Sequence, residues 1–286
     1  MTSAPSQSAP ERARVASRPG LQDIPRPAPA FASDGSGSEL LEARLGGPAE
    51  RVAGLRPLRG RHPVIVHIAV TVVLWVALVA LLVLLGRFLT DVLVPHAGVG
   101  LAERSYNDWL EDQRAPLREH VSWIGSTLSG GVVIPLVVAI ACISLAVVRR
   151  WRLAAFFLTA ILVEVTAYRA IVSLVPRERP DVDRLENLPL LHSFPSGHVA
   201  ATVAVYGGLA LVLAVHLRDS RWRYAAYAFG VAMPLFVAMS RMYRGMHNPT
   251  DALAGLLMGC LAVAVAVFVC RIDGVAVRNR EREATP

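Results

Sequence analysis

VIVHIAVTVVLWVALVALLVLLG, residues 64–86, decides the fold. Its only titratable side chain is His67, and it has no polar stripe to present to water. About 20 apolar residues in a helix cross a hydrocarbon core of about 30 Å. This stretch therefore reads as a membrane span. Outward from it, five further apolar runs cover about 131–148, 153–175, 199–217, 223–242 and 251–270. The chain is 54% hydrophobic and only 18% charged, which fits a membrane bundle and not a soluble domain. The expected fold is all-α, an integral membrane bundle of six transmembrane helices.

Before the first span, residues 1–60 are rich in Pro, Ala, Ser, Gly and Arg. Such a segment buries too little apolar surface to offset its ordering entropy, so it reads as a disordered cytoplasmic tail. It has no apolar core followed by a small-residue cleavage site, so it does not read as a secretory signal. The membrane domain is expected over 61–272, with a short cytoplasmic tail over 273–286. All basic side chains are Arg, and they cluster beside the spans: Arg51 to Arg61, Arg149 to Arg152, Arg218 to Arg223 and Arg271 to Arg282. Topology signals behave this way, so the formal charge of +7 points to a membrane and not to nucleic acid. Excess cytoplasmic Arg places both termini inside, with an even number of spans. The first outer loop is acidic instead, carrying Asp91, Glu103, Asp108, Glu111, Asp112 and Glu119. Within that loop Leu110, Leu117, Val121 and Ile124 recur at helical spacing beside Trp109 and Trp123. Short interfacial helices are expected there, either as packing or as a rim for a lipid substrate. Cys142, Cys260 and Cys270 lie in apolar runs without metal spacing and read as buried thiols.

Three polar clusters interrupt the apolar chain. They are Arg177-Glu178-Arg179-Pro180, then Phe194-Pro195-Ser196-Gly197-His198, then Ser240-Arg241 with His247-Asn248-Pro249-Thr250-Asp251. The alternation of spans brings all three to the outer face. Arg179 and Arg241 offer forked donors suited to phosphate oxygens. Ser196 and Gly197 open a helix, whose free N–H groups and dipole favour an anion. His198 and His247 supply a nucleophile and a proton donor for phosphoester cleavage. Asp251, one turn after His247, is expected to hold its Nδ1–H. Glu164 lies near the middle of the third span, where a charge is costly; it reads as a functional group or an interhelical tie.

These residues resemble the type 2 phosphatidic acid phosphatase superfamily. Pro195 to His198 match its Pro-Ser-Gly-His element, and Ser240, Arg241, His247 and Asp251 match its third element with both spacings intact. The resemblance covers roughly 64–270. It implies a membrane lipid phosphatase without metal or other cofactor, acting through a phosphohistidine on His247. Asp251 would be the orienter and His198 the general acid. Phosphate would sit on Arg179, Ser196, Gly197 and Arg241. Implied substrates are polyprenyl diphosphates, phosphatidate and phosphatidylglycerol phosphate. Transfer of the phosphate to another acceptor, or a non-catalytic lipid-binding relative, are the other readings. One departure stands out: seven residues before Arg179 the family has Lys, and this chain has Val172. Arg177 is expected to take over that phosphate contact. Oligomeric state is not legible.

Overall fold

The computed structural model describes residues 39–187, 192–217 and 220–284. Residues 1–38 of the expected tail, and Arg218 among the topology signals, lie outside them. The described elements are helical: α1 (Pro48–Ala53), α2 (Pro63–His96), α3 (Val99–Asp112), α4 (Pro116–Leu128), α5 (Val133–Val147), α6 (Trp151–Leu174), α7 (Gly197–His216), α8 (Trp222–Tyr243) and α9 (Pro249–Ala284). Helices α2, α6, α7, α8 and α9 are each long and apolar enough to cross a membrane, and the chain is a multi-pass membrane protein.

The expected second span is more complicated. Helix α5 has 15 residues, or about 22 Å of rise, too little for the hydrocarbon core. It makes a sixth span only together with α4, which meets it at 45°. Ser129-Gly130-Gly131-Val132 separates the two, and its paired glycines disfavour continuing the helix. The stripe of Leu117, Val121 and Ile124 does not pack inward, since these residues are 75%, 42% and 38% exposed. The buried face of α4 is Ser122, Gly125 and Ser126 instead. Small residues face the protein and large apolar ones face out, the arrangement expected where the surroundings are lipid.

Helix α7 is the central column, 61% buried along its apolar window against 17% for α2. Its Ala200 shares a buried cluster with Ala254 and Met258 of α9, its Val205 with Val138 of α5, and its Val199 with Val237 of α8. The α7–α9 contact is especially close. A Cβ on Gly255 would lie 2.5 Å from the Ser196 carbonyl oxygen, and one on Gly259 2.5 Å from Val203 Cβ. This Gly-Leu-Leu-Met-Gly stretch is a small-xxx-small seam, and it brings the N-termini of α7 and α9 side by side. The Gly207-Gly208 pair also lies at a close crossing, because a Cβ on Gly230 of α8 would come within 2.7 Å of Ala210 and 3.9 Å of Gly207 Cα.

Two tail assignments are revised. From Glu39 the chain is structured: Leu41 is fully buried with Leu153 and Cys270, and Ala49 and Ala53 pack with Val66 and Ile272. Arg152 donates to the Leu41 carbonyl at 2.6 Å, and Arg271 to the Leu40 carbonyl at 3.0 Å. Arginines read as topology signals thus also clamp this segment, a tertiary use that local composition does not reveal. At the other end α9 runs on to Ala284, and Asp273 joins the bundle through His67, 2.6 Å away and itself 2.9 Å from Thr159.

Candidate active site

The three polar clusters converge. The C-terminal ends of α6 and α8 meet the N-terminal ends of α7 and α9, and Ser196 N–H donates to the Asp251 carbonyl at 3.0 Å. Gly245, at φ 68°, makes the left-handed turn that returns the chain from α8 toward α9 and presents His247 between them.

His247 is 3% exposed. Its Nδ1 lies 2.8 Å from the Ser193 carbonyl oxygen. A carbonyl only accepts, so Nδ1 carries the proton and Nε2 keeps its lone pair. Asp251 does not make this contact, contrary to the sequence expectation: its Oδ2 is 4.0 Å from Nδ1. At the third position of α9, Asp251 instead turns back to accept from Asn248 N–H at 2.8 Å, one half of a capping box. Its other oxygen accepts from Arg177 at 2.5 Å. Burial, then the positive charges of Arg241 and Arg179, push the His247 imidazole well below its ordinary 6.5. It is a neutral base. His198, on the first turn of α7, is its electrostatic neighbour.

Arg241 is fully buried. Its Nη1 donates to Glu186 at 2.5 Å and to Ser126, while Nε and Nη2 have no partner among the described residues. Ser196 Oγ is likewise buried and without a partner among the described residues. Orphaned buried donors are costly, so these mark a place where an acceptor is wanted. Arg179 is half-buried and tied to the carbonyls of Met246 (2.5 Å) and His192 (3.3 Å), on either side of the site. Gly197 has a second reason to lack a Cβ: one there would lie 2.9 Å from the Tyr168 ring.

Arg177 stands apart from this set. It is 5% exposed, with Nη1 on Asp251 and Thr250 and Nη2 on Glu103. Both terminal nitrogens are engaged and two carboxylates offset its charge, while Arg177 also lines the polar cavity beside the site together with Arg179. Val172 is 8% exposed within the helical packing, and Glu164 is 2% exposed.

Sequence reading did not single out Ser193, Glu186 or Glu103. Ser193 acts through its backbone, which residue type does not report. Glu186 belongs to a polar loop with no periodicity. Burial alone would push its carboxyl up, but the charge of Arg241 and hydrogen bonds from Ser126, Arg241 and Arg244 hold it at about 2. Glu103 did leave a trace, since it shares a helical face with Asn107 and Leu110, all about 5% exposed or less. Beside the site a polar cavity of about 870 Å³ is lined by Glu103, Arg104, Asn107, Asp108, Arg179 and Arg184, among others. Among the described residues no three His, Cys, Asp or Glu side chains are grouped to hold a metal ion.

Comparison with known proteins bears on the same residues. Residues 151–271 match the PAP2 superfamily. Phosphatidylglycerophosphatase B of Bacillus subtilis is 36% identical over 92 residues, which is 30% of this chain and 43% of that one. The chain therefore matches under half the length of that relative. The crystal structure of the first transmembrane PAP2 type phosphatidylglycerolphosphate phosphatase from Bacillus subtilis superimposes with a TM-score of 0.56 at 22% identity, covering 68% of this chain and 92% of that one. LpxE of Aquifex aeolicus gives 0.42 at 24% identity, over 57% and 92%. Motif spacing, family match and helical architecture coincide on α6 to α9, where residues 151–271 are similar to the PAP2 superfamily.

Proposed function

We propose that this protein is a membrane phosphatase that hydrolyses lipid phosphomonoesters or diphosphates at the outer face, without a metal, through a phosphohistidine on His247. The observation that carries the reading is a buried imidazole held through Nδ1 by the Ser193 carbonyl, beside Arg241 and Ser196 donors that have no partner among the described residues. Arg241, Arg179, Ser196 and the N–H groups opening α7 at Gly197 bind the phosphoryl oxygens and meet the charge of the transition state. The His247 Nε2 lone pair attacks phosphorus, the bond from phosphorus to the leaving oxygen breaks, and His198 gives that oxygen a proton. Water then attacks the phosphohistidine while His198 takes its proton, releasing inorganic phosphate and restoring Nε2. The Ser193 carbonyl orients His247 throughout. Asp251 shapes the turn that carries it, and its charge faces Arg177.

Phosphatidylglycerol phosphate, phosphatidate and a polyprenyl diphosphate are the substrates to compare, the first because a named relative is a phosphatidylglycerophosphatase. The test is phosphate release by the purified chain across that panel. Acid-labile phosphate is expected on the peptide containing His247, and His247→Ala is expected to lose both the label and turnover. Label on a peptide lacking His247, or turnover retained in His247→Ala, would overturn the assignment.

A further inference from the structure

Helix α3 lies outside the PAP2-matched residues, yet two of its side chains reach the segment that carries His247. Glu103 and Asn107, four residues apart, are 5% and 4% exposed, while Leu101 and Trp109 on the other face are 69% and 53% exposed. Buried polar groups on an amphipathic helix need partners, and these are specific. Glu103 Oε1 accepts from Thr250 N–H at 3.1 Å and from Thr250 Oγ1 at 2.5 Å. A carboxylate there satisfies an orphan N–H in the first turn of α9 and complements its dipole, although it comes from another element. Glu103 Oε2 pairs with Arg177, which pairs in turn with Asp251. Asn107 Nδ2 donates to Asn248 Oδ1 at 2.8 Å. The segment from His247 to Asp251 is thus held from α3 at Asn248, at Thr250 and, through Arg177, at Asp251.

Resting on the phosphatase reading above, we propose that Glu103 and Asn107 are positioning residues for His247. Glu103 acts through Arg177 and Asp251, and Asn107 acts through Asn248. Arg177 sits between two carboxylates, so its pull on Asp251 is shared. Without the Glu103 charge the guanidinium is drawn wholly to Asp251, and that displaces the turn that presents Nε2. The substrate need not touch either residue, so the loss should fall on kcat and not on KM.

Glu103→Gln separates positioning from packing, because the amide keeps an acceptor for Thr250 and nearly the same volume while removing the charge. With dioctanoyl phosphatidate and phosphatidylglycerol phosphate as probes, we expect Glu103→Gln to lower kcat at least tenfold with KM within twofold, and Glu103→Asp to recover part of it. Asn107→Ala should lower kcat severalfold, again at constant KM. The double variant Glu103→Gln, Arg177→Met should turn over within twofold of Arg177→Met alone, because Glu103 works through Arg177. Wild-type kcat in Glu103→Gln, or independent multiplicative losses in the double variant, would overturn the proposal. A readout that needs no turnover separates this from the phosphatase reading: the rate at which diethyl pyrocarbonate modifies His247, followed by mass spectrometry. Displacement of the turn should raise that rate at least fivefold in Glu103→Gln. An unchanged rate sinks the positioning role even in a chain that hydrolyses none of the probes. A wild-type chain inactive on every probe, with the rate raised in the variant, sinks the phosphatase reading alone.

Discussion

His247 shows how burial sets a protonation state that sequence leaves open. Its ordinary value of 6.5 is pushed well down by burial and by Arg241 and Arg179. The imidazole is then neutral and nucleophilic throughout the range in which a free histidine would be protonating. On the acid side, kcat/KM should show no loss centred near 6.5 that tracks His247, down to about pH 6. Such a midpoint in the pH profile of phosphoenzyme formation would contradict the depressed value. A folded-state value below the unfolded one also favours the native state only while the unfolded imidazole is uncharged. That stability contribution is complete above 6.5 and fades as pH falls from there through the folded value. The histidines, Asp251, Arg241 and Ser196 were legible because their spacing is fixed along helices whose directions follow from the spans. Partner choice was not legible. Residue types allowed Asp251 to face either His247 or its own helix terminus, and allowed Arg177 to grip a phosphate or two carboxylates. Asp251 caps its own helix, and Glu103 of α3 supplies the second carboxylate at Arg177.

At the scale of elements, the order of the spans could be read because an apolar run must satisfy the membrane thickness, and α5, too short alone, is the exception. Helix α4 was harder, since an apolar stripe at helical spacing reads the same whether it faces a core or lipid; its small residues were the better guide to the buried face. The seam between α7 and α9 is similar, because Gly255 is silent in a motif search yet sets how closely two helix N-termini approach. Its missing Cβ leaves room for the Ser196 carbonyl oxygen, backbone that cannot swing aside. Gly255→Val should therefore push the helices apart and stretch the link from Ser196 N–H to the Asp251 carbonyl. A displacement of about 1 Å at a reacting group costs roughly a hundredfold in rate. Overpacking should also lower stability by about 1–3 kcal/mol. Gly131→Val is the control, because a Cβ there meets nothing within 4 Å. Equal turnover in the two variants would mean that this close approach does not position the site.

For the whole molecule, the two ends of the bundle differ in chemistry, and that difference predicts orientation. One end gathers Arg152 and Arg271, which clamp the segment around Leu40 and Leu41, together with the Arg-rich end of α9. The other holds His247, His198 and the acidic loop containing α3. Helix α6 joins the ends over 24 residues, about 36 Å of rise, which exceeds the hydrocarbon thickness. Excess Arg favours the cytoplasmic side, so the site should open outward with both termini inside. Cysteines at Asp181 and at Leu55, both exposed positions, report the two ends separately in a chain whose Cys142, Cys260 and Cys270 are replaced by Ala. In intact cells a membrane-impermeant maleimide should label the Asp181→Cys chain, and the Leu55→Cys chain only after permeabilisation. The opposite pattern would place the histidines on the cytoplasmic side, and the outward-facing reading would fall while the chemistry proposed for the site stood. Labelling at both positions in sealed cells would mean that the protein inserts in two orientations. The Arg asymmetry would then be too weak to set topology in a chain whose arginines also serve as structural clamps.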